Sequence, residues 1–167
     1  MTLQSDRQLD GLGWQILRLL QDNARLSFRQ IGETIGLTAP AVAERIRRLE
    51  DTGILKGYRA EIDLASAGLP ITAFVHLVTN NTQSMRFRKA VLDMPEVIEC
   101  HCVTGNESYI MKVAVTTVPH LEHVLLLLAN FGEMRTSLVL SSQITRRPID
   151  ETMLHSAVPN SIRDRNS

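Results

Sequence analysis

Apolar residues recur at helical spacing through the first part of the chain and predict three helices. The first covers residues 9–21, where leucines and isoleucines repeat every three or four positions. The second begins at Ser27, which forms an S-x-x-Q capping box with Gln30, and ends at Gly36. The third covers residues 38–51, so a single residue separates it from Gly36. Two short helices joined by such a turn are typical of a helix-turn-helix, and a plain helical hairpin in an all-α core is the alternative.

The third helix has the character of a DNA-recognition helix. Thr38 can cap it and Pro40 fits its first turn, while Val42, Ile46 and Leu49 form one apolar stripe. A recognition helix lies in the major groove with its N-terminal residues at the base edges. We therefore predict that its first residues and Arg45 lie nearest the bases, and that the later arginines contact phosphates or pair with acidic neighbours. The predicted DNA-binding residues are Ser27, Thr38, Ala39, Pro40, Ala41, Glu44, Arg45, Arg47 and Arg48.

The rest of the chain changes to a mixed pattern of strands and helices. Residues 54–62 form a predicted strand or short wing of the DNA-binding part. Strands are then predicted at 71–79, 96–104, 109–117 and 133–146, with helices at 83–94 and 119–131. The order β-α-β-β-α-β is the ferredoxin-like arrangement, with both helices on one face of a four-stranded antiparallel sheet. The predicted fold class is α+β, a winged helix-turn-helix followed by a ferredoxin-like domain.

Breakers and changes of composition mark the expected domain limits. Gly68 and Pro70 interrupt the chain between the two patterns, and the residues after Pro148 are mostly polar. We expect a DNA-binding domain at 1–63, a linker at 64–70, an effector-binding and dimerisation domain at 71–147, and a polar C-terminal tail at 148–167.

The predicted strands are apolar on both sides. In the first strand, Phe74 and Val78 alternate with Val75 and Leu77, and the third strand has a similar pattern. Strands with two apolar sides are buried on both, and the four leucines at 125–128 leave further apolar surface on a helix. Exposed patches of this size mark interfaces. A second copy is the expected partner because homodimers are the commonest closed assembly.

Composition and charge exclude several classes of protein. Hydrophobic residues make up 44% of the chain, enough for a packed core, and 18 basic residues balance 18 acidic ones. A net charge of zero argues against a nucleic-acid coat protein but permits a local DNA-binding surface. The sequence has neither a long apolar span nor an N-terminal signal pattern, so we expect a cytoplasmic protein with no membrane contact.

The two cysteines give little support for a metal site. Cys100 and Cys102 lie two positions apart on one face of a predicted strand, where His101 points to the other face. His120 and His123 are possible further ligands, but the sequence contains no C-x-x-C motif. We expect no metal and no cofactor, and we interpret the cysteines as reduced and buried in the sheet.

The succession of motifs resembles the leucine-responsive regulatory protein / asparagine regulator (Lrp/AsnC) family over about residues 9–147. The matching positions are Leu9-Asp10, Ile16-Leu17, Ile35-Gly36-Leu37-Thr38, Arg45-Ile46, Arg48-Leu49-Glu50, Gly53-Ile54, Gly57-Tyr58, Val97, Glu99-Cys100-His101, Val103-Thr104-Gly105 and Tyr109. The resemblance implies a transcriptional regulator that binds double-stranded DNA. It also implies dimers that assemble into an octamer or similar ring, and control by amino acids bound where the ligand domains meet.

The resemblance places the effector at the turn formed by residues 105–109. Gly105 lets the backbone approach a ligand, and successive amides of a turn can hold a carboxylate. Asn106 and Ser108 stand where family members commonly carry acidic residues, so we expect neutral amino acids to be preferred. The predicted effector-binding residues are Thr104, Gly105, Asn106, Glu107, Ser108, Tyr109 and Thr136. A tight hairpin turn that needs Gly and Asn for its backbone angles is the alternative.

Two other functions are compatible with the same domains. One is an enzyme or small-molecule sensor on a ferredoxin-like dimer, in which the helical unit serves only protein contacts. We expect no enzyme, because Ser108 has no paired His and Asp at a telling spacing. The other is an architectural DNA-packing protein with little sequence preference. The favoured interpretation is a sequence-specific transcriptional regulator modulated by a small effector.

Overall fold

The computed structural model describes residues 9–155, which form two compact units. One unit contains the residues up to Ala60 together with the segment that begins at Ile144, and the other spans Glu61–Gln143. This division differs from the expected one, because the C-terminal segment joins the first unit instead of standing apart as a tail. Residues 156–167 of the predicted tail lie outside the described part. No helix among the described residues is long and apolar enough to cross a membrane.

Three helices form most of the first unit. They are α1 at Gly11–Asp22, α2 at Phe28–Ile35 and α3 at Ala39–Asp51. The three helices pack around one apolar cluster, in which Ile16, Ile31 and Val42 have no solvent exposure. Each helix places one apolar stripe in this cluster, as the spacing of the sequence predicts.

The turn between α2 and α3 depends on two glycines. Gly36 ends α2 in the left-handed region, at φ 73°, where a Cβ is disfavoured. Gly32 lies inside α2, and its carbonyl accepts a hydrogen bond of 3.0 Å from the Leu37 amide. A Cβ at Gly32 would lie 2.3 Å from the Leu37 carbonyl oxygen. Glycine at this position therefore lets the chain fold back closely before Thr38 caps α3.

The prediction of a strand or wing at residues 54–62 is wrong. Between α3 and Ile71 the chain forms only turns, bends and irregular structure. Ile54, Tyr58 and Ile62 are exposed, and the Tyr58 hydroxyl donates to Glu50 at 3.1 Å. An extended segment becomes a strand when a neighbouring strand takes up its backbone hydrogen bonds, and the described residues of the first unit include no strand.

Four strands and two helices form the second unit in the predicted order. The strands are β1 at Ile71–Val78, β2 at Val97–Cys102, β3 at Tyr109–Val115 and β4 at Glu133–Leu138. The helices are α4 at Asn81–Ala90, followed by a 3-10 turn at Val91–Asp93, and α5 at Val118–Ala129. The strands pair in the antiparallel order β2-β3-β1-β4. The ferredoxin-like prediction is confirmed.

Strand β1 lies in the middle of the sheet and has two different faces. Val75 and Leu77 are fully buried on one face, in a core that includes Phe87 of α4. On the opposite face, Phe74 is 39% exposed and Val78 is 42% exposed. The second apolar face that the sequence indicates is therefore present, and in one chain it is open to solvent.

Strand β4 ends at Leu138 rather than at residue 146. The last hydrogen bond toward β1 runs from the Val139 amide to the Thr72 carbonyl at 2.9 Å. Because β1 begins at Ile71, later residues have no strand to pair with. The chain leaves the sheet, and its described part ends in the short helix α6 at Thr152–His155.

The expected burial of the cysteines is also wrong. Cys100 and Cys102 are both free and exposed, because β2 is an edge strand whose positions after Val97 are all exposed. Partial desolvation raises the pKa of the Cys100 thiol, and the neighbouring Cys102 adds to that shift. Within residues 9–155, no three His, Cys, Asp or Glu side chains are grouped so that they could hold a metal ion.

Replacing Gly32 by Ala should lower the free energy of unfolding by about 1–3 kcal/mol, because the new Cβ collides with backbone. Gly11→Ala is the matched control: Gly11 is also helical, but a Cβ there meets nothing within 4 Å. That change should be neutral or stabilise by up to about 1 kcal/mol. Denaturant unfolding of the wild type and both variants measures these changes. Equal stability of the two variants would show that the turn relaxes without cost.

Candidate DNA-binding and effector sites

The side of α3 opposite its buried stripe carries most of the predicted DNA-binding residues. Four of them are exposed on the helix: Pro40, Glu44, Arg47 and Arg48. Thr38 is exposed just before the helix, and its hydroxyl accepts from the Ala41 amide at 3.4 Å. Ala39 and Ala41 are half-buried. The small residues at this end let the backbone come close to another surface, while the charged residues lie further along.

Ser27 is engaged in the cap of α2. Its hydroxyl accepts from the Gln30 amide at 3.3 Å, and the Ser27 amide donates to Gln30 Oε1 at 2.9 Å. The predicted capping box is confirmed. The hydroxyl thus fixes the start of α2, and only its exposure supports a place for Ser27 at DNA.

Arg45 pairs with an acidic residue at the start of α1. Its Nη1 donates to both carboxylate oxygens of Asp10, each at 2.8 Å, and its side chain is only 34% exposed. Asp10 also accepts from the Gly13 amide at 2.8 Å and so caps α1. These contacts lower the pKa of Asp10, with the Gly13 hydrogen bond as the largest cause. Arg45 therefore ties α3 to the start of α1, and contact with a base would require this pair to open.

Arg47 and Arg48 pair with acidic residues of their own helix. Arg47 lies 3.1 Å from Glu44 and 3.8 Å from Asp51, and Arg48 lies 3.5 Å from Glu44. The ion pairs proposed from the sequence are thus observed. The hydrogen bond from Arg47 lowers the pKa of Glu44. Because exposed pairs of this kind are weak, phosphates can compete for both arginines.

The predicted effector turn lies between β2 and β3. Gly105 has φ 117°, and a Cβ built there meets nothing within 4 Å. Thr104 and Asn106 are exposed beside it. Glu107 forms an ion pair with Arg135 of β4, which compensates the one acidic charge of the turn. The exposed part of the turn is therefore open and effectively neutral.

Ser108 and Tyr109 both make side-chain hydrogen bonds within the unit. The Ser108 hydroxyl accepts from the Thr79 amide at 3.1 Å. Tyr109 is only 4% exposed, and its hydroxyl lies 2.7 Å from Ser84 Oγ and accepts from Arg88 Nε at 2.7 Å. These contacts hold the turn against the end of β1 and against α4. Both side chains are engaged in these contacts, and Tyr109 is buried.

Thr136 does not lie beside the turn. It is exposed on β4 and pairs with Val75, whereas the turn leads into β3 on the other side of β1. Two strand spacings of about 4.8 Å each separate β4 from β3. Within one chain, Thr136 is therefore separated from the turn by two strand spacings, although its neighbour Arg135 reaches Glu107.

An open cleft of about 520 Å³ is a feature that the sequence analysis missed. It is lined by Val78, Thr79, Asn80, Gln83, Asn130, Phe131, Gly132 and Glu133. A Cβ at Gly132 would lie 2.0 Å from the Val78 carbonyl oxygen, so glycine permits the close approach. The Thr79 hydroxyl donates to the Phe131 carbonyl at 2.6 Å. Gly132, directly after a predicted helix, was the one sequence signal for this cleft.

Two family models match the chain. The AsnC-type helix-turn-helix domain matches residues 9–50, and the Lrp/AsnC ligand binding domain matches residues 72–149. The HTH-type transcriptional regulator LrpB of Bacillus subtilis (strain 168) is 38% identical over 125 residues, covering 75% of this chain and 84% of that protein. The chain belongs to the Lrp/AsnC family of transcriptional regulators.

Solved Lrp/AsnC structures share the fold. LrpC of B. subtilis aligns with a TM-score of 0.79 at 29% identity, covering 83% of this chain and 99% of that chain. A transcriptional regulator of Neisseria meningitidis, solved as a complex with L-Met, aligns with a TM-score of 0.81 at 28% identity, covering 87% and 99%. The predicted helix-turn-helix and the role in transcription regulation are confirmed. The plain helical hairpin is excluded.

Two variants distinguish the structural role of Arg45, its ion pair with Asp10, from a role in reading bases. Asp10→Asn keeps a good cap but weakens the ion pair, so it and Arg45→Ala should each lower stability by about 0.5–1 kcal/mol. Both should change DNA affinity by similar, small factors. Unfolding curves and DNA titrations of the single and double variants measure these effects. A loss of about 1–3 kcal/mol in specific binding for Arg45→Ala alone would identify Arg45 as a base reader.

Proposed function

We propose that this Lrp/AsnC protein binds specific DNA sites through the first turns of α3, as a dimer or an assembly of dimers. The observation that carries the proposal is the exposed side of α3, with small residues at its N-terminal end and arginines further along. Thr38, Ala39, Pro40, Ala41 and Glu44 would lie nearest the base edges. Arg47 and Arg48 would exchange their carboxylate partners for phosphates, which gives affinity without sequence preference.

The assembly is proposed to form through the open face of the sheet. Phe74 and Val78 are exposed there, next to the half-buried Ile110 of β3. A second copy would cover this apolar surface and place two DNA-binding units in one molecule. Leu126 and Leu127 of α5 are also exposed, which supports further contacts between dimers and a ring such as an octamer.

A small neutral amino acid is the proposed effector, and the protein is proposed to act as a regulator rather than as a catalyst. The space beside Gly105 is open, and the charge of Glu107 is compensated by its ion pair with Arg135. A relative of similar fold is solved with L-Met, an amino acid whose side chain is uncharged. Because two strand spacings separate Thr136 from the turn within one chain, a site that uses both is proposed where the ligand domains of two chains meet.

Pro40→Glu tests the DNA-binding surface. The change places a carboxylate in the first turn of α3. There the carboxylate interacts favourably with the helix dipole but repels phosphates. Thr82→Glu is the matched control, since Thr82 is the exposed second residue of α4 in the effector unit. Fluorescence anisotropy with DNA from the region upstream of the gene should show at least about a tenfold loss for Pro40→Glu and none for Thr82→Glu. Unchanged binding by Pro40→Glu would reject α3 as the reading element, and equal affinity of the wild type for random DNA would favour a packing protein.

Gly105→Val tests the effector site. Calorimetry with L-methionine and other neutral amino acids should show binding to the wild type and a loss of at least about tenfold in the variant, because a branched side chain blocks the approach to the backbone. Gly68→Val is the control. Gly68 lies in the same unit and also has a positive φ, 92°, and a Cβ added there would meet nothing within 4 Å. Binding that survives Gly105→Val would move the site elsewhere, with the cleft beside Gly132 as the next candidate. Tight binding of arginine would contradict the charge argument.

A further inference from the structure

The C-terminal segment contacts α1 through the side chain of Gln21. Gln21 Nε2 donates to the Ile149 carbonyl at 3.0 Å, and the Ile149 amide donates back to Gln21 Oε1 at 2.9 Å. One side-chain amide thus satisfies both backbone groups of one residue, as a neighbouring strand would. Gln21 Nε2 also donates to the Leu17 carbonyl at 3.2 Å, which orients the amide toward the segment.

A second contact lies one turn earlier on α1. Arg18 lies 3.7 Å from Asp150, so two successive residues of the segment are held by two residues of one helix. Asp150 also accepts from the Thr152 amide at 2.9 Å, at the start of α6. The segment is therefore bound by defined partners, and Asp150 lies beyond the region that the ligand-binding family model matches.

The contact closes a loop in the chain. The polypeptide leaves the first unit after Ala60 and returns to it at Ile144. While the segment is docked, two stretches of chain connect the DNA-binding unit to the effector unit. When the segment is released, only the stretch after Ala60 connects them. Closing a chain segment removes conformational freedom from everything between its ends.

We propose that residues 144–155 form a reversible latch on α1 that restricts the movement of the DNA-binding unit. The docking of this segment does not depend on the proposed DNA-binding function. Only its expected effect on DNA binding rests on that function. The Arg18 and Asp150 side chains are 59% and 36% exposed, and exposed hydrogen bonds and ion pairs are individually weak. A contact of this strength opens and closes locally without unfolding the unit. Docking limits the range of orientations of each DNA-binding unit, so it favours two units bound to half-sites at a fixed spacing.

Gln21→Ala tests the contact itself in the full-length protein. It removes both hydrogen bonds to Ile149, so the Ile149 amide should exchange its hydrogen about three- to tenfold faster. Gln15→Ala is the matched control, because Gln15 is exposed on the same helix. Trypsin cleavage at Arg146 should accelerate in parallel, since cleavage follows the population of the open form. Unchanged exchange and cleavage in Gln21→Ala would overturn the proposal, because the segment would not be held by Gln21 in solution.

DNA binding by the same variants tests the effect of the latch. Gln21→Ala should weaken binding to DNA with two half-sites about three- to tenfold, and leave binding to a single half-site unchanged. Faster exchange with unchanged two-site binding would reduce the segment to a structural strap and overturn the latch. Equal losses on one and two half-sites would mean damage to the DNA-binding unit, and would also overturn it. Wild-type protein that binds no DNA would reject the proposed function, while the exchange measurements would still decide whether the segment docks.

Discussion

The close approach of Gly32 to the Leu37 carbonyl is the constraint on which the DNA-binding unit depends. It brings the end of α2 next to the start of α3 with almost no intervening chain, while Gly36 supplies the left-handed residue that reverses the direction. With this tight turn, the buried stripe of α3 meets the apolar cluster of α1 and α2. The direction in which Pro40 and Glu44 face solvent follows from that packing.

In the free protein, Arg47 and Arg48 of α3 form ion pairs with acidic residues of the same helix. Glu44 lies between Arg47 and Arg48, and Asp51 adds a second partner for Arg47. Three arginines therefore share α3 with three acidic residues, Glu44, Glu50 and Asp51, without strong self-repulsion. Because these exposed pairs are weak, exchanging a carboxylate for a phosphate costs little, and released counterions favour the complex. Arg45 differs because its carboxylate partner also caps α1 and stabilises the unit itself.

In the effector unit, the end of β1 connects the two places where a ligand could bind. Thr79, directly after β1, bonds Ser108 on the turn side and Phe131 on the cleft side. A ligand at either place would act on the same strand end, and β1 pairs with both β3 and β4 across the middle of the sheet. The open face of β1, with Phe74 and Val78, belongs to the same strand. Ligand binding and assembly are therefore expected to be coupled through one element.

Local patterns in the sequence were enough to predict the five longer helices, the caps of α2 and α3, and the order of the strands. The caps at Ser27 and Thr38 and the stop at Gly36 involve residues within a few positions of each other, so their geometry follows from local chemistry. The period of apolar residues likewise determined which faces are buried. Tertiary structure alone decided where strands end and what each polar side chain contacts. The predicted wing at residues 54–62 found no neighbouring strand, and Asp10 and Ser84 proved to be the partners of Arg45 and Tyr109. Strand pairing and side-chain partnership depend on residues that are distant in the sequence, and only the folded chain brings them together.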